Sequence, residues 1–436
     1  MAVIDARVVF LTHYIPLYQV RVLQSIARSV AHFQVLVSTP IEPNRDFAPD
    51  WSGLNVTVQD TWTLRRQWRH RGHGSFADSL YIHVPYDTTR QLTAINPDVV
   101  MSLELGARSF GAAKYCRRSG AKLILCTYMS ERTEQSRGRL RHYLRRHLLK
   151  SADAVTYNGP SCRRYLERFD IGPDRLFPLP YAADDRTLYR GPLERDEAQT
   201  RGRFLIIGQL SQRKGVVPLV HQAAQYVRKH PGRPIELWFA GDGPQRDEIA
   251  AIDAPPGLVV RLLGNVPAND LSGVMRQCSA LIAPTLADEW MLVVNEGLQA
   301  GLPVIGSVHS QAVMTLVQND VNGWRYDPAV QDDRHASFEA AVDRYFDTDR
   351  LELAAMRPTC RTSVSERTPT WAARGAVDAI AEVTGLDRDA STATSPMRID
   401  AQDVDPFPPS SYAGGATAGL RTRRGRSGVK NRSSSV

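Results

Sequence analysis

Short apolar runs alternate with stretches of helical period through most of the chain, the pattern of strands covered on both faces by helices. Val8 to Leu11 reads as a strand, His13 to Pro16 as a loop, Gln19 to Ser29 as a helix with Val22, Leu23, Ile26 and Ala27 on one side, and Phe33 to Val37 as the next strand. The unit recurs. Val99 to Leu103 is followed by a loop with Glu104 and Gly106, a helix through Cys116, and the strand Lys122 to Cys126. Strand, loop and helix in that order put each loop at the carboxyl edge of a sheet, where such folds bind ligands. Thr61 to Tyr86 breaks the order: aromatics and bases interleave, and the stretch reads as irregular.

Pro173, Pro178 and Pro180 precede a polar run from Asp184 to Arg203 with little apolar periodicity, the composition of a connector between two cores. The second core opens with the strand Phe204 to Ile207, the segment Gly208 to Val216 and a helix from Pro218 to Arg228. Strands at Glu236 to Ala240 and Val259 to Leu263 end in Gly241-Asp242-Gly243-Pro244 and Gly264-Asn265-Val266-Pro267, and a helix runs to Cys278. Leu281 to Ser307 then reads as strand, loop, helix from about Val293, a Gly301-Leu302-Pro303 stop, and strand. Beyond Asp387, Ser, Thr, Pro and Gly dominate and disorder is expected. The domains are thus 1–183, a connector 184–203, and 204–386, whose last helices either close the second domain or return to the first, with a basic tail 387–436.

A chain of 436 residues with 42% apolar composition exceeds one ordinary core, in agreement with two domains. The net charge of +8 looks like a nucleic-acid signature until it is divided: Arg421, Arg423, Arg424, Arg426, Lys430 and Arg432 carry six of those charges. The body is nearly neutral, which argues against a nucleic-acid partner. Cys116, Cys126, Cys162, Cys278 and Cys360 show no paired spacing, which argues against a disulfide framework and a zinc site and for a reducing compartment. No apolar run approaches the ~20 residues of a membrane span, and no signal-peptide core is visible. A cytoplasmic protein, soluble or attached to the inner face of a membrane, is expected.

The candidate chemistry lies at carboxyl edges. Gly208 turns between strand and helix with Arg213 and Lys214 at the helix start, a combination suited to a diphosphate: amides approach and cations offset charge. Asp288 sits in the loop before the last helix and Glu296 inside it, flanking a helix N-terminus whose amides make an anion site. Acids beside an anion site suit a ligand with both phosphate and hydroxyls, as a nucleotide sugar has. Each feature also has a plainer explanation: a loop acid, a helix-start acid favouring the dipole, and for His13 a loop histidine capping the backbone.

An acid, seven residues and a Glu, with an aromatic two places after the first acid, resembles the donor-site signature of the retaining glycosyltransferases of family four, which have the GT-B fold. Here it spans Asp288, Glu289, Trp290, Met291, Leu292, Val293, Val294, Asn295 and Glu296. The family usually has Glu at 288, Gly at 291 and Arg at 209; this chain has Asp288, Met291 and Gln209, with Glu289 and Arg213 adjoining. The resemblance is clear from Phe204 to Pro328, including the Asn322 to Pro328 close, and fainter from Val8 to Tyr181. It implies an α/β fold of two Rossmann-like domains facing across a cleft. It also implies transfer of a sugar from a nucleotide-sugar substrate to an acceptor hydroxyl with retention, without an obligatory metal or other cofactor, in glycan, polysaccharide or glycolipid synthesis. Lys214, Arg213 and the amides of Val294 and Asn295, beside Leu292, are expected at the diphosphate, Glu296 at the ribose, and the backbone of Gly264, Asn265 and Val266 at the base. Asp288 is expected on sugar hydroxyls, Glu289 beside it, Glu131 and Arg132 near donor sugar and acceptor, and His13 in the loop bordering the acceptor cleft.

Three matters stay open at this stage. The stretch Thr61 to Tyr86 is either an acceptor loop or a mobile surface insertion. The acid-free helix Arg137 to Lys150, with Leu140, Leu144 and Leu148 in a row, either lies on anionic lipid near a lipid-linked acceptor or packs on the sheet; the basic tail is either solvated or a second contact of that kind. A nucleotide-sugar epimerase and a non-catalytic binding protein share the architecture. Product analysis without acceptor separates the first, and nucleotide binding the second.

Overall fold

The computed structural model describes residues 3–42, 48–70, 76–131, 133–134, 138–183, 191–330 and 335–386; Arg132, the first part of the connector and the tail from 387 lie outside them. The first sheet draws on β1 (Ile4–Thr12), β2 (Val30–Val37) and β3 (Val56–Val58). After a separate hairpin of β4 (Thr61–His70) and β5 (Phe76–Pro85) it adds β6 (Val99–Leu103), β7 (Lys122–Cys126), β8 (Ala154–Tyr157) and β9 (Leu176–Pro178). Its spatial order is β3-β2-β1-β6-β7-β8-β9. The second sheet takes β10 (Arg203–Ile207), β11 (Ile235–Ala240), β12 (Leu258–Gly264), β13 (Ala280–Ala283), β14 (Val304–Ser307) and β15 (Gly323–Tyr326) in the order β12-β11-β10-β13-β14-β15.

All pairings inside the two sheets are parallel. Parallel strands need crossovers that cover both faces, and β6, β8, β13, β14 and β15 are buried at every residue, which is why they are mostly apolar, with only an isolated Ser102, Thr156, Ser307 or Arg325 in them. Both lobes are doubly wound and Rossmann-like. In each, the order reverses beside the first strand, between β1 and β6 and between β10 and β13, so the loops leaving these strands diverge and open a crevice at the carboxyl edge.

The stretch expected to be irregular is the β4–β5 hairpin, paired from Thr61 with Pro85 to His70 with Phe76. Its pattern hides it: a two-stranded ribbon standing off the sheet needs no clean alternation, and Trp62 and Leu64 are exposed. At its far end Phe76 is buried against Leu286 and Ala287 of the second lobe, and the Ala77 amide donates to Gln212 Oε1 at 3.2 Å. The basic helix runs from Arg139 to Lys150, and the leucine row is divided: Leu148 is buried, whereas Leu140 and Leu144 are exposed, with Tyr143 between them. No helix among the described residues is long and apolar enough to cross a membrane.

The last helix, Pro369–Thr384, starts at a Thr368 cap and packs Ala372, Ala376, Val377 and Ile380 into the core of the first lobe with Phe10 and Val20. Gly375 lets it lie on β9: a Cβ there would stand 1.9 Å from the Pro178 carbonyl oxygen. Arg357 anchors the preceding helix. Fully buried, it grips both carboxylate oxygens of Glu197 in the connector (2.5 and 2.7 Å) and donates to the Gly301 carbonyl at 2.9 Å. Arg357→Met keeps the bulk but strands the Glu197 carboxylate, so urea unfolding at pH 7 should show a loss of ~3 to 5 kcal/mol. A loss below about 1 kcal/mol would mean that water or another base already serves Glu197.

Candidate active site

Loops from both crevices line one cavity of about 600 Å³. Tyr18 and Glu104 reach it from the segments after β1 and β6, Gly208 to Lys214 from the turn after β10, and Ala287 to Val293 from the loop after β13. A second cavity, about 520 Å³, opens beside the connector at Arg203 and Arg261. Those guanidiniums lie over the Trp238 ring and pair with Glu236 at 2.8 and 2.6 Å, so their charge is matched within the fold. The cavity between the lobes brings Arg213 and Lys214 of the second lobe together with Asp288 and Glu289 of that lobe and Glu104 and Glu134 of the first.

Its second-lobe side is built on glycine turns. Gly208 at φ +131° and Gly215 at φ +68° bracket the segment, and a Cβ on Gly215 would meet the Pro284 carbonyl at 2.2 Å. The tight packing sets Arg213 and Lys214 over the loop after β13. Lys214 Nζ donates to Asp288 Oδ2 at 2.6 Å and Arg213 Nη1 to the same oxygen at 3.0 Å, while Oδ1 accepts the Trp290 amide at 3.1 Å. Burial would push the Asp288 carboxyl up; the Lys214 ammonium and then the Arg213 guanidinium outweigh it and hold the group well below the usual carboxylate range. The backbone of Asp288 is fixed as well, its amide donating to the His309 carbonyl at 3.1 Å.

Glu289, the next residue, has the opposite environment. Burial first, then the charges of Glu104, Glu134 and Asp288, push its carboxyl up to about 8 against the pull of Arg213. Glu134 is itself ion-paired with Arg145, which also donates to the Tyr165 hydroxyl at 2.6 Å. Two adjacent acids therefore differ sharply in proton affinity, the arrangement that separates a permanent anion from a group able to exchange a proton near neutrality.

Met291 occupies the position where the resemblance has glycine, and the backbone keeps the glycine geometry: φ is +81°, in the left-handed region, with the side chain buried. Such a conformation costs a non-glycine residue ~1 to 3 kcal/mol and persists only where the surroundings impose it. Here the Met291 carbonyl receives the Val294 amide at 3.1 Å. That amide, expected to face a diphosphate, is thus already engaged.

The other candidates are placed as follows. Leu292 lines the cavity at the start of the helix Val293–Gln299. The Asn295 side chain is turned away, its Oδ1 accepting the Trp290 indole N–H at 2.8 Å, and Glu296 lies half-buried on the first turn, outside the lining. Gly264 ends β12 and Asn265 and Val266 follow it at the same carboxyl edge, also outside the lining; the Gly264 carbonyl is held by the Gly241 amide at 2.7 Å. Glu131 faces away from the cavity, its carboxylate paired with Arg164 at 2.9 Å and Arg168 at 2.7 Å. His13 packs on Tyr14 and His83 outside the lining. Arg132 lies outside the described residues. Tyr18 lines the cavity from the carboxyl edge where the pattern puts it, whereas the sequence reading missed the roles of Arg145 and Tyr181 in the lining, and of Asn158 and Gln311 behind it.

Among the described residues one group, His230, Glu339 and Asp343, has metal-ligand spacing. Lys229 and Arg233 already pair with its two carboxylates at 2.6 and 2.9 Å, away from the cavity.

Residues 18–182 match a family model described as a glycosyl transferase 4-like domain, and residues 201–347 one described as glycosyl transferases group 1. The fold is GT-B. It is shared with a lipopolysaccharide outer core galactosyltransferase (TM-score 0.63, 13% identity, 86% of this chain and 99% of that one). It is shared equally with the Anabaena protein HepE in complex with UDP (TM-score 0.63, 13% identity, 87% and 99%). In sequence the chain is similar to a D-inositol 3-phosphate glycosyltransferase of Frankia alni, 27% identical over 176 residues, 36% of this chain and 42% of that protein. It is also similar to an uncharacterized glycosyltransferase of Methanocaldococcus jannaschii, 26% identical over 126 residues, 28% and 31% of the two chains. The matched segments span less than half the length of these curated relatives. Within the GT-B frame, the loops after β10 and β13 supply the second lobe's half of the cleft and the segments after β1 and β6 the first lobe's half.

Proposed function

We propose that this GT-B chain transfers a sugar from a nucleoside-diphosphate sugar to an acceptor hydroxyl, with retention of anomeric configuration and without an obligatory metal. One observation carries the reading: Lys214 and Arg213 meet on Asp288 at the mouth of the second crevice, beside a carboxyl that titrates near neutrality. The two cations rest on Asp288. When a diphosphate arrives they turn to it, and Asp288 is released to accept hydrogen bonds from sugar hydroxyls. As the sugar–phosphate bond breaks, the cations stabilise the charge growing on the departing diphosphate. The acceptor oxygen bonds to the anomeric carbon on the face that the diphosphate leaves, as retention in one step requires, and Glu289 takes its proton, its raised basicity suited to that transfer. Glu296 and the Gly264 to Val266 backbone are proposed for the ribose and base.

The exposed Leu140, Tyr143 and Leu144, flanked by Arg139, Arg141 and Arg146, suit a lipid-linked acceptor presented at an anionic membrane. The nature of the Frankia relative's acceptor and the UDP of HepE make inositol phosphates and UDP-sugars the first compounds to try.

The test is calorimetric titration with uridine, guanosine and adenosine diphosphates, followed by mass spectrometry of the protein incubated with the matching nucleotide sugars. One diphosphate should bind and its sugar be released or transferred; no binding of any at millimolar concentration would end the transferase reading. Lys214→Ala should weaken the diphosphate that binds by ~1 to 3 kcal/mol, the range for a hydrogen bond to a charged partner. Unchanged affinity in a folded variant removes Lys214 from the site.

A further inference from the structure

We propose that Gln311 is a positioning residue that makes the shape of the loop bearing Asp288 and Glu289 depend on contact between the two lobes; its consequence for turnover rests on the transferase reading. Gln311 begins the helix Gln311–Leu316 of the second lobe and is nearly buried, with its side chain aimed into the first lobe. Its Nε2 donates to the Glu289 carbonyl at 2.8 Å and to Asn158 Oδ1 at 3.2 Å, and its Oε1 accepts the Cys162 amide at 3.2 Å. Asn158, fully buried in the first lobe, donates from Nδ2 to the same Glu289 carbonyl at 2.8 Å. Backbone carbonyls only accept and backbone amides only donate, so these partners fix both side-chain amides in one orientation.

The Glu289 carbonyl is therefore held by one donor from each lobe. The next carbonyl, Trp290, accepts the Ala312 amide and the Ser310 hydroxyl, both from the start of the Gln311 helix, and the Trp290 ring stacks on Tyr181 of the first lobe at 6.0 Å. If the lobes part, Glu289 loses the Asn158 donor, Gln311 loses the Cys162 amide and Trp290 loses its ring partner. A buried amide left without partners is costly, so the closed arrangement and the ordered loop stand or fall together. The turn Gly208 to Lys214 belongs to the second lobe, where Gly215 packs on the Pro284 carbonyl, and its tie to the first lobe is the Ala77 amide on Gln212 Oε1. Nucleotide binding is thus separated from assembly of the two acids, which need closure.

The experiment compares the full chain with Gln311→Leu and, from the opposite lobe, Asn158→Ala. Hydrogen–deuterium exchange, read with and without UDP, should speed up by roughly ten- to a hundredfold in either variant both at 286–291 and at 159–163, the effect of losing hydrogen bonds at a buried contact. Turnover of the donor found above should fall by a similar factor, with the UDP dissociation constant changed less than about threefold. A residue that merely stabilises its own lobe would, in Gln311→Leu, loosen 286–291 alone and lower the melting temperature without the split between turnover and nucleotide affinity. Exchange confined to one lobe, or normal turnover despite faster exchange in both, overturns the proposal. Should Gln311→Leu not fold, Asn158→Ala carries the same readouts. Exchange needs no reaction, so absence of transfer in the wild type would sink the transferase reading and leave the coupling of the lobes still measurable.

Discussion

Asp288→Asn is expected to leave the nucleoside diphosphate bound at least as tightly as before while turnover falls by about a hundredfold, the scale for losing a group that positions the reacting sugar. The carboxylate holds the cations that the diphosphate needs, at 2.6 and 3.0 Å, and repels the incoming charge. Removing its charge removes a competitor. The same change weakens charge-assisted bonds to sugar hydroxyls, which matter only with the sugar in place. Stability should move with pH in a defined direction. Because the folded carboxyl titrates below its unfolded value near 4, its contribution is present above that value and is lost as pH falls through the folded one. The variant should thus be less stable than wild type by ~1 to 3 kcal/mol at pH 7, a pair only partly buried, with the gap closing in acid. Weaker UDP binding would show that Asp288 does not compete for the cations, and unchanged turnover would remove it from the sugar.

What the chain declared openly was its grammar of strand, loop and helix. β6 and β7 fall where their apolar runs begin and end, because a strand buried on both faces has little freedom of composition. The crevices follow from the same grammar, so Gly208, Lys214 and Asp288 could be singled out from position alone. Partnership was less legible. Glu131 and Glu134 lie three residues apart at one strand's end, and nothing local tells that Arg164 and Arg168 claim the first while the second lines the cavity. Those arginines are more than thirty residues downstream, in the helix Pro160–Glu167 and at its C-terminal cap, and the rotation of that helix decides the matter. Asn158 is further still from Glu289 in sequence, and an isolated Gln at a helix start, as Gln311 is, carries no signal of crossing between lobes. Met291 is the instructive case: it stands where the resemblance has glycine, yet the backbone holds φ +81° without it. The surrounding hydrogen bonds, rather than the residue, impose that turn.

Glu289→Gln should abolish a pH dependence as well as lower the rate. In the wild type, log kcat/KM is expected to rise with unit slope up to pH about 8 and level off above it, because the ionised carboxylate is the form that accepts the acceptor proton. The variant should be flat across this range and slower at the plateau by ~10²- to 10⁴-fold, the span for loss of a general base. Stability supplies an independent reading with its own sign. A carboxyl whose ordinary value is 4.5 and whose folded value is about 8 binds its proton more tightly in the folded state between those limits. Wild-type stability therefore falls as pH rises through that window, with a slope of at most ~1.4 kcal/mol per pH unit, whereas the glutamine, neutral throughout, lacks the slope. At pH 5 the two proteins should unfold at similar urea concentrations, and at pH 9 the variant should be the more stable by a few kcal/mol (~2 to 5, the upper end being the full shift). A protein that gains stability in alkali and loses its rate there has given up a group held against its own preference, the mark of a site rather than a scaffold. Parallel stability curves would mean that solvent reaches Glu289 freely, and the rate profile would then need another acid.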